Sequence, residues 1–273
     1  MRAFALLALL AALVAGCGAS DIATDTFAEA AKKTEAASSM RIDMTMVTEV
    51  PGVAKPVRVE AQGVSDGNRA SMTMTMPPIQ GVDLGEIEMR MFGTVMYMRM
   101  AFLADAAPEL EPWVEIDLRE AGKEVGVDFD ALLELSRQSD PTQALDFLRA
   151  SGDIEEVGEA EVRGVATTHY RGSIDFEEYA EQLEAENNDA AAKSLRAIVE
   201  QTGTKTVPME VWVDGESLVR RMKWEQAVPG SGRQPSTTAK ATMELFDFGA
   251  DVEVERPPAD QTMSFEELQE LGG

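Results

Sequence analysis

Residues 71–76 read Ser-Met-Thr-Met-Thr-Met, a strict alternation of polar and apolar side chains. The same period of two recurs in four further runs between positions 41 and 100: Arg41–Met46, Val57–Ala61, Ile87–Met91 and Met96–Met100. Successive side chains of a β-strand point to opposite faces of the sheet. The pattern therefore predicts five strands that each present one apolar face.

Turn-forming residues separate these runs, and no helical pattern lies between them. Short strands joined by close turns predict an antiparallel meander. Six more strands are predicted further along the chain, and Asp214-Gly215 joins two of them as a hairpin. The six predicted strands are Trp113–Leu118, Ile154–Arg163, Val165–Ile174, Val207–Val213, Leu218–Gln226 and Thr238–Phe248.

Helical periodicity is confined to a few segments outside the meander. We predict helices over Ile22–Ser38, Asp128–Arg137, Pro141–Arg149 and Phe176–Gln201, the last broken near residues 187–188, and a short acidic helix in the tail. A sheet of about 11 strands must curl, and its apolar face must be covered. The predicted fold class is α+β: a single curved antiparallel sheet, or half-barrel, wrapped over helices.

The N-terminus carries the features of an exported, lipid-anchored chain. Residues 3–14 are an unbroken apolar run, which is shorter than the roughly 20 residues that span a bilayer. Val14-Ala15-Gly16-Cys17 matches the bacterial lipobox, in which the cysteine is acylated. We expect lipidation of Cys17 and attachment to the cell membrane on its extracytoplasmic side.

No repeat, long linker or composition break divides the rest of the chain, so it is interpreted as one domain. The expected organisation is a signal peptide at residues 1–16, a lipid-anchored leash at 17–21, the half-barrel domain at 22–262 and an acidic C-terminal tail at 263–273.

Charge and composition narrow the function classes. The chain has 24 basic and 49 acidic side chains, a net charge of −25, which disfavours a nucleic-acid partner. Cys17 is the only cysteine and His169 the only histidine, which excludes disulfides and a histidine-ligated metal centre. Trp113, Trp212 and Trp224 are interpreted as packing anchors. We expect no catalytic residue, no cofactor, no metal and no enzyme activity.

Several strand and turn motifs resemble a known family of lipoproteins. They are Val162–Tyr170 (VRGVATTHY), Met209–Asp214 (MEVWVD), Leu218–Met222 (LVRRM) and Asp247–Gly249 (DFG). Together with the order of elements, they resemble the LppX/LprG-type lipoproteins of the LolA-like half-barrel superfamily. That resemblance implies a protein that holds acyl chains of a lipid or glycolipid between sheet and helices, and an envelope transport partner protein.

Methionine is concentrated in the predicted meander, with eleven of the 16 between Met40 and Met100. Methionine is flexible and polarizable, so a face built from it can remould around acyl chains. Combined with the resemblance, this predicts a lipid-binding cavity. Its predicted lining is Met44, Met46, Met72, Met74, Met76, Met89, Met91, Met96 and Met98.

The sequence is also compatible with two alternatives. The methionines could be ordinary core in a structural or interaction lipoprotein that binds no lipid and acts through its acidic surface. Met72, Met74 and Met76 also place three thioethers on one strand face, and thioethers favour Cu(I).

Overall fold

One sheet contains all twelve strands of the described chain, in the order β12-β6-β5-β4-β3-β2-β1-β11-β10-β9-β8-β7. The computed structural model describes residues 29–30, 33–34, 36–49, 56–66, 69–78, 85–101, 113–131, 154–228 and 237–272. The strands are β1 Met40–Thr48, β2 Val57–Ser65, β3 Arg69–Thr75, β4 Glu86–Phe92, β5 Val95–Met100, β6 Trp113–Asp117, β7 Glu155–Val162, β8 Val165–Asp175, β9 Thr206–Asp214, β10 Val219–Val228, β11 Thr237–Phe246 and β12 Thr262–Ser264.

The predicted fold class is confirmed, and each of the eleven predicted strands is present. Neighbouring strands pair antiparallel, except that β12 pairs parallel with β6. The sequence did not predict β12, because three residues are too short to establish an alternating pattern. The β7–β8 hairpin turns at Arg163 and Gly164, whose φ angles of 51° and 80° are those of a two-residue primed turn.

Four α-helices of the described chain have defined bounds, α1 Leu118–Val125, α2 Phe176–Ala185, α3 Asp189–Thr202 and α4 Phe265–Gly272, and a short 3₁₀ helix spans Ala259–Gln261. The predicted break near residues 187–188 is confirmed, because α2 ends and α3 begins there, and α4 is the short acidic helix of the tail. Helix α1 was not predicted. Described residues near position 30 and at 129–131 are also helical, whereas the predicted helix at 141–149 lies outside the described residues.

The helical segments link opposite ends of the sheet. Helix α1 follows β6 directly, and α2 and α3 form the insert between β8 and β9. In sheet order β6 and β8 are nine strand spacings apart, about 43 Å if the sheet were flat. The backbone N–H of Asp128, just beyond α1, nevertheless donates to Ser194 Oγ of α3 at 2.8 Å. A helical layer therefore connects the two ends of the sheet.

A close approach between β2 and β3 requires Gly63. A Cβ added there would lie 2.5 Å from the backbone oxygen of Ser71, a distance that real Cβ atoms do not adopt. Gly63 pairs with Ile42 on one side and Met72 on the other. The missing side chain thus lets the strands approach in the middle of an apolar row.

The segment between β11 and β12 crosses the sheet along its outer face. Arg90 of β4 donates to the carbonyl of Glu255 at 2.9 Å, and Arg69 of β3 reaches the carbonyl of Val254 at 3.5 Å. Val254 is buried at 2% exposure. These contacts carry the chain from the middle of the sheet to its far edge, where β12 joins β6.

Candidate functional site: a methionine-lined sheet face

Strand register brings the predicted methionines onto one face of the sheet. Directly paired residues share a face, so a row can be followed from strand to strand. One row runs across nine strands, from β8 to β5, and all its members are apolar or aromatic. It consists of Tyr170, Val211, Met222, Met243, Met44, Ala61, Met74, Ile87 and Met100.

Parallel rows on the same face contain the other predicted residues. Met72, Met89 and Met98 are paired across β3, β4 and β5. Met91 is paired with Met96, and Met46 lies between Val59 and Ala241. We call this surface, defined by these rows, the methionine face.

Eight of the nine predicted residues lie in strands on this face. The ninth, Met76, follows β3 directly, and its backbone N–H donates to the carbonyl of Gly85 at 3.1 Å. The structure thus brings the predicted set together along β1 and β3–β5. Whether these side chains bind lipid stays a prediction.

Sequence reasoning missed further methionines of the same face. Met209, Met222 and Met243 lie on β9, β10 and β11, and Met40 and Met100 lie at strand ends. The alternation around Met222 and Met243 carried the same period-two signal as the meander. It was overlooked because methionine is less dense in those later strands.

Burial divides the methionine face into two parts. Over β8–β11 it forms a packed core in which Val211 is 2% and Leu245 5% exposed. The helical residue Ala30, fully buried, belongs to this core, and nearby Thr34 accepts a hydrogen bond from the backbone N–H of Val219 at 2.8 Å. The N-terminal helical residues therefore pack against this end of the face.

Over β3–β5 the face is less completely covered. No described side chain on this part of the face is fully buried, and the methionines at positions 72, 74, 89, 91, 96 and 98 are half-buried. Met209, Met222 and Met243 are half-buried too, but they pack against fully buried neighbours. The side chains over β3–β5 retain apolar surface that a further apolar group can cover.

The opposite face of the sheet is charged and held by ion pairs. Arg163 contacts Asp43 and pairs with Glu244 at 2.7 Å, and Arg221 pairs with Glu244 at 2.6 Å. Burial alone would raise the pKa of Glu244, but the hydrogen bonds from Arg163 and Arg221 outweigh it and hold that pKa below its ordinary value. This outer face offers no extended apolar row among the described residues.

His169 and Trp212 also lie on the outer face, with their rings stacked at 4.2 Å and an interplanar angle of 3°. His169 Nε2 is 2.7 Å from Glu210 Oε2. Trp212 and Trp113 are each 5% exposed and lie beneath cationic side chains, with Arg90 4.6 Å above the Trp113 ring. The only histidine is thus on the side of the sheet opposite to the methionines.

Two further observations bear on membranes and metals. No described helix is both long enough and apolar enough to cross a membrane. Within the described ranges, no group of three or more His, Cys, Asp or Glu side chains is arranged to hold a metal ion. Cys17 lies outside the described residues, so its lipidation stays a prediction.

Comparison with known proteins finds relatives that cover most of the chain. No protein-family model matches the sequence. An uncharacterised 31.2 kDa protein of Streptomyces griseus is 29% identical over 252 residues, covering 89% of this chain and 79% of the relative. A predicted lipoprotein of Streptomyces coelicolor is 26% identical over 259 residues, covering 89% and 75% respectively.

Among solved structures, the lipoprotein LppX of Mycobacterium tuberculosis matches 86% of this chain and 98% of its own, with 13% identity and a TM-score of 0.48. LprF of Mycobacterium bovis matches 87% and 98%, with 16% identity and a TM-score of 0.47. The chain resembles both. This is the resemblance that the sequence motifs indicated. The arrangement of strands and helices is known from the structure described above.

Proposed function

We propose that this protein is a membrane-anchored lipoprotein that binds acyl chains of a lipid or glycolipid on its methionine face, for transport or sorting in the cell envelope. One observation carries the proposal. The register places methionines from β1, β3, β4 and β5 on a single face whose side chains are only half-buried.

The dimensions and chemistry of the face suit an acyl chain. The row from Met44 to Met100 crosses four strand spacings, about 19 Å. Burying about ten methylene groups there would contribute about 8 kcal/mol before the costs of binding. Thioether side chains change rotamer easily, so the face could adapt to chains of different length and bend.

The anchor follows from the N-terminal motif. The lipobox ending at Cys17 supports acylation of that residue, and the likeness to a predicted lipoprotein of Streptomyces coelicolor supports the same assignment. With an extracytoplasmic orientation, the leash would hold the domain close to the bilayer from which lipid would be taken. Two or more acyl chains give stable anchoring.

Lipid extraction is the direct test. Every contact described above lies within residues 29–272, so a soluble chain beginning after Cys17 keeps them. We expect purified residues 18–273, extracted with organic solvent, to release lipid in a stoichiometric amount detectable by mass spectrometry. Absence of co-purified lipid, together with no uptake from vesicles, would instead identify a structural or interaction lipoprotein.

A further inference from the structure

A cationic cleft lies between α1 and α3, in the helical layer. Its volume is about 420 Å³, and its lining combines the apolar residues Val127, Phe129 and Ala190 with charged ones. The polar residues that line it are Arg119, Lys123, Asp128, Asp130, Lys193 and Ser194.

Local hydrogen bonds fix both walls of the cleft. Asp117 caps α1 by accepting the backbone N–H of Arg119 at 2.8 Å. Beyond α1, Val127 donates to the carbonyl of Gly122 at 2.9 Å, and Asp128 donates to Ser194 Oγ. Ser194 is 1% exposed and donates in turn to the carbonyl of Ala190 at 2.8 Å. The two helices are therefore held in a defined relation.

The acidic residues of the cleft are already engaged by neighbours. Asp130 accepts from Arg119 Nε at 2.7 Å, and Asp128 accepts the backbone N–H of Ala131 at 3.0 Å. Lys123 and Lys193 are exposed, and neither ammonium group pairs with a carboxylate of another described residue. Two lysines without a carboxylate partner among the described residues thus line one cleft, in which three cationic side chains face two carboxylates although the chain has a net charge of −25.

The cleft is also close to the methionine face. Ile116 of β6 is paired with Met96, which in turn pairs with Met91, so Ile116 ends one methionine row. Arg119 follows only three residues later, a separation of at most about 10 Å along the chain. A ligand with an apolar tail and an anionic end could therefore contact both places at once.

We infer that Lys123 and Lys193 bind a phosphate group, supplied by the headgroup of an anionic lipid whose acyl chains lie on the methionine face. The inference rests on the proposed function and names the class of lipid. Ammonium groups bind phosphate as point charges, and charge-assisted hydrogen bonds are stronger than neutral ones. The cleft gives this otherwise acidic protein a place for a negatively charged headgroup.

The test compares two lipids with the same acyl chains, of which only one carries an anionic phosphoglycerol headgroup. Residues 18–273 are mixed with neutral phosphatidylcholine vesicles that contain a trace of fluorescent phosphatidylglycerol, or of diacylglycerol with the same labelled chains. We expect the unmodified protein to prefer phosphatidylglycerol about tenfold, equivalent to about 1.4 kcal/mol. The double variant Lys123→Gln/Lys193→Gln should lose this preference while taking up diacylglycerol as before.

A matched control carries the same change of charge elsewhere. Lys33 and Lys240 are exposed and paired with Glu29 and Glu225. The variant Lys33→Gln/Lys240→Gln should keep the preference for phosphatidylglycerol. Equal uptake of both lipids by the unmodified protein, or an unchanged preference in the Lys123/Lys193 variant, would overturn the headgroup assignment.

Titration with inorganic phosphate tests whether the cleft binds phosphate independently of any lipid. Calorimetric titration that detects phosphate binding to the unmodified protein but not to the Lys123/Lys193 variant supports a phosphate site. Such binding without any preference between the lipids would assign the cleft to a free anion. If neither lipid is taken up, the proposed function fails, and the phosphate titration alone then decides for or against the cleft.

Discussion

Replacing Met74 with tryptophan should block acyl-chain uptake without unfolding the protein. Met74 is the middle member of the part of the row that runs from Met44 to Met100, between Ala61 and Ile87, and its side chain is half-buried. An indole ring there would occupy the surface that an acyl chain needs. Displacing about three methylene groups costs about 2.4 kcal/mol, which corresponds to about 50-fold weaker binding.

The assay is fluorescence transfer of an acyl-labelled lipid from vesicles to residues 18–273, with thermal unfolding measured in parallel. Thr75→Trp is the matched control, because Thr75 is exposed at the end of the same strand and points to the opposite face. We expect near-normal uptake by this control. Unchanged uptake by Met74→Trp would remove Met74 from the site. An equal loss of uptake in both variants would show that tryptophan disturbs the strand itself rather than blocking the methionine face.

Three further predictions concern the scaffold. Gly63→Ala should lower the free energy of unfolding by about 1–3 kcal/mol in denaturant titrations, because its Cβ would meet backbone of the next strand; Gly215→Ala, with open space around it, should be close to neutral. Because two arginines hold the pKa of Glu244 below its ordinary value despite burial, its stabilising contribution is present above about pH 4.5 and is lost as the pH falls through the depressed pKa. Glu244→Gln should therefore flatten the fall of Tm in acid, and an unchanged acid profile would contradict the assignment. Asp175→Ala should cost about 1 kcal/mol, since Asp175 caps α2 by accepting two backbone N–H groups; Asn188→Ala at the start of α3, where no side-chain cap bond forms, should have a smaller effect on Tm.

Much of the sheet could be predicted because its signal is local. Alternation in runs such as Ser71–Met76 records which side chains face the core, and that pattern depends only on the two-residue period of a strand. Helix α1 was missed because its sequence, Leu118–Val125, has few apolar residues and follows a strand without a break. Strand β12 was missed because it is short and its parallel partner β6 is distant in sequence.

Part of the candidate site could likewise be predicted from the sequence, and part could not. The period of two assigned each predicted methionine to the apolar side of its own strand. It could not show that Met222 and Met243 continue the row that contains Met44, because that alignment depends on pairing between β1 and β11. It also could not find the cleft of Lys123 and Lys193, whose lysines lie 70 residues apart in the sequence.

By itself, the sequence determined the strands, their apolar faces, the lipobox at Cys17 and the net negative charge, because each is a property of neighbouring residues or of composition. Only the tertiary structure decided which faces align, which part of the methionine face is packed by the N-terminal helical residues, and which lysines line the cleft between α1 and α3. Register and helix packing are set by contacts between residues far apart in the chain. A one-residue shift in register would turn the methionines of a strand to the charged outer face.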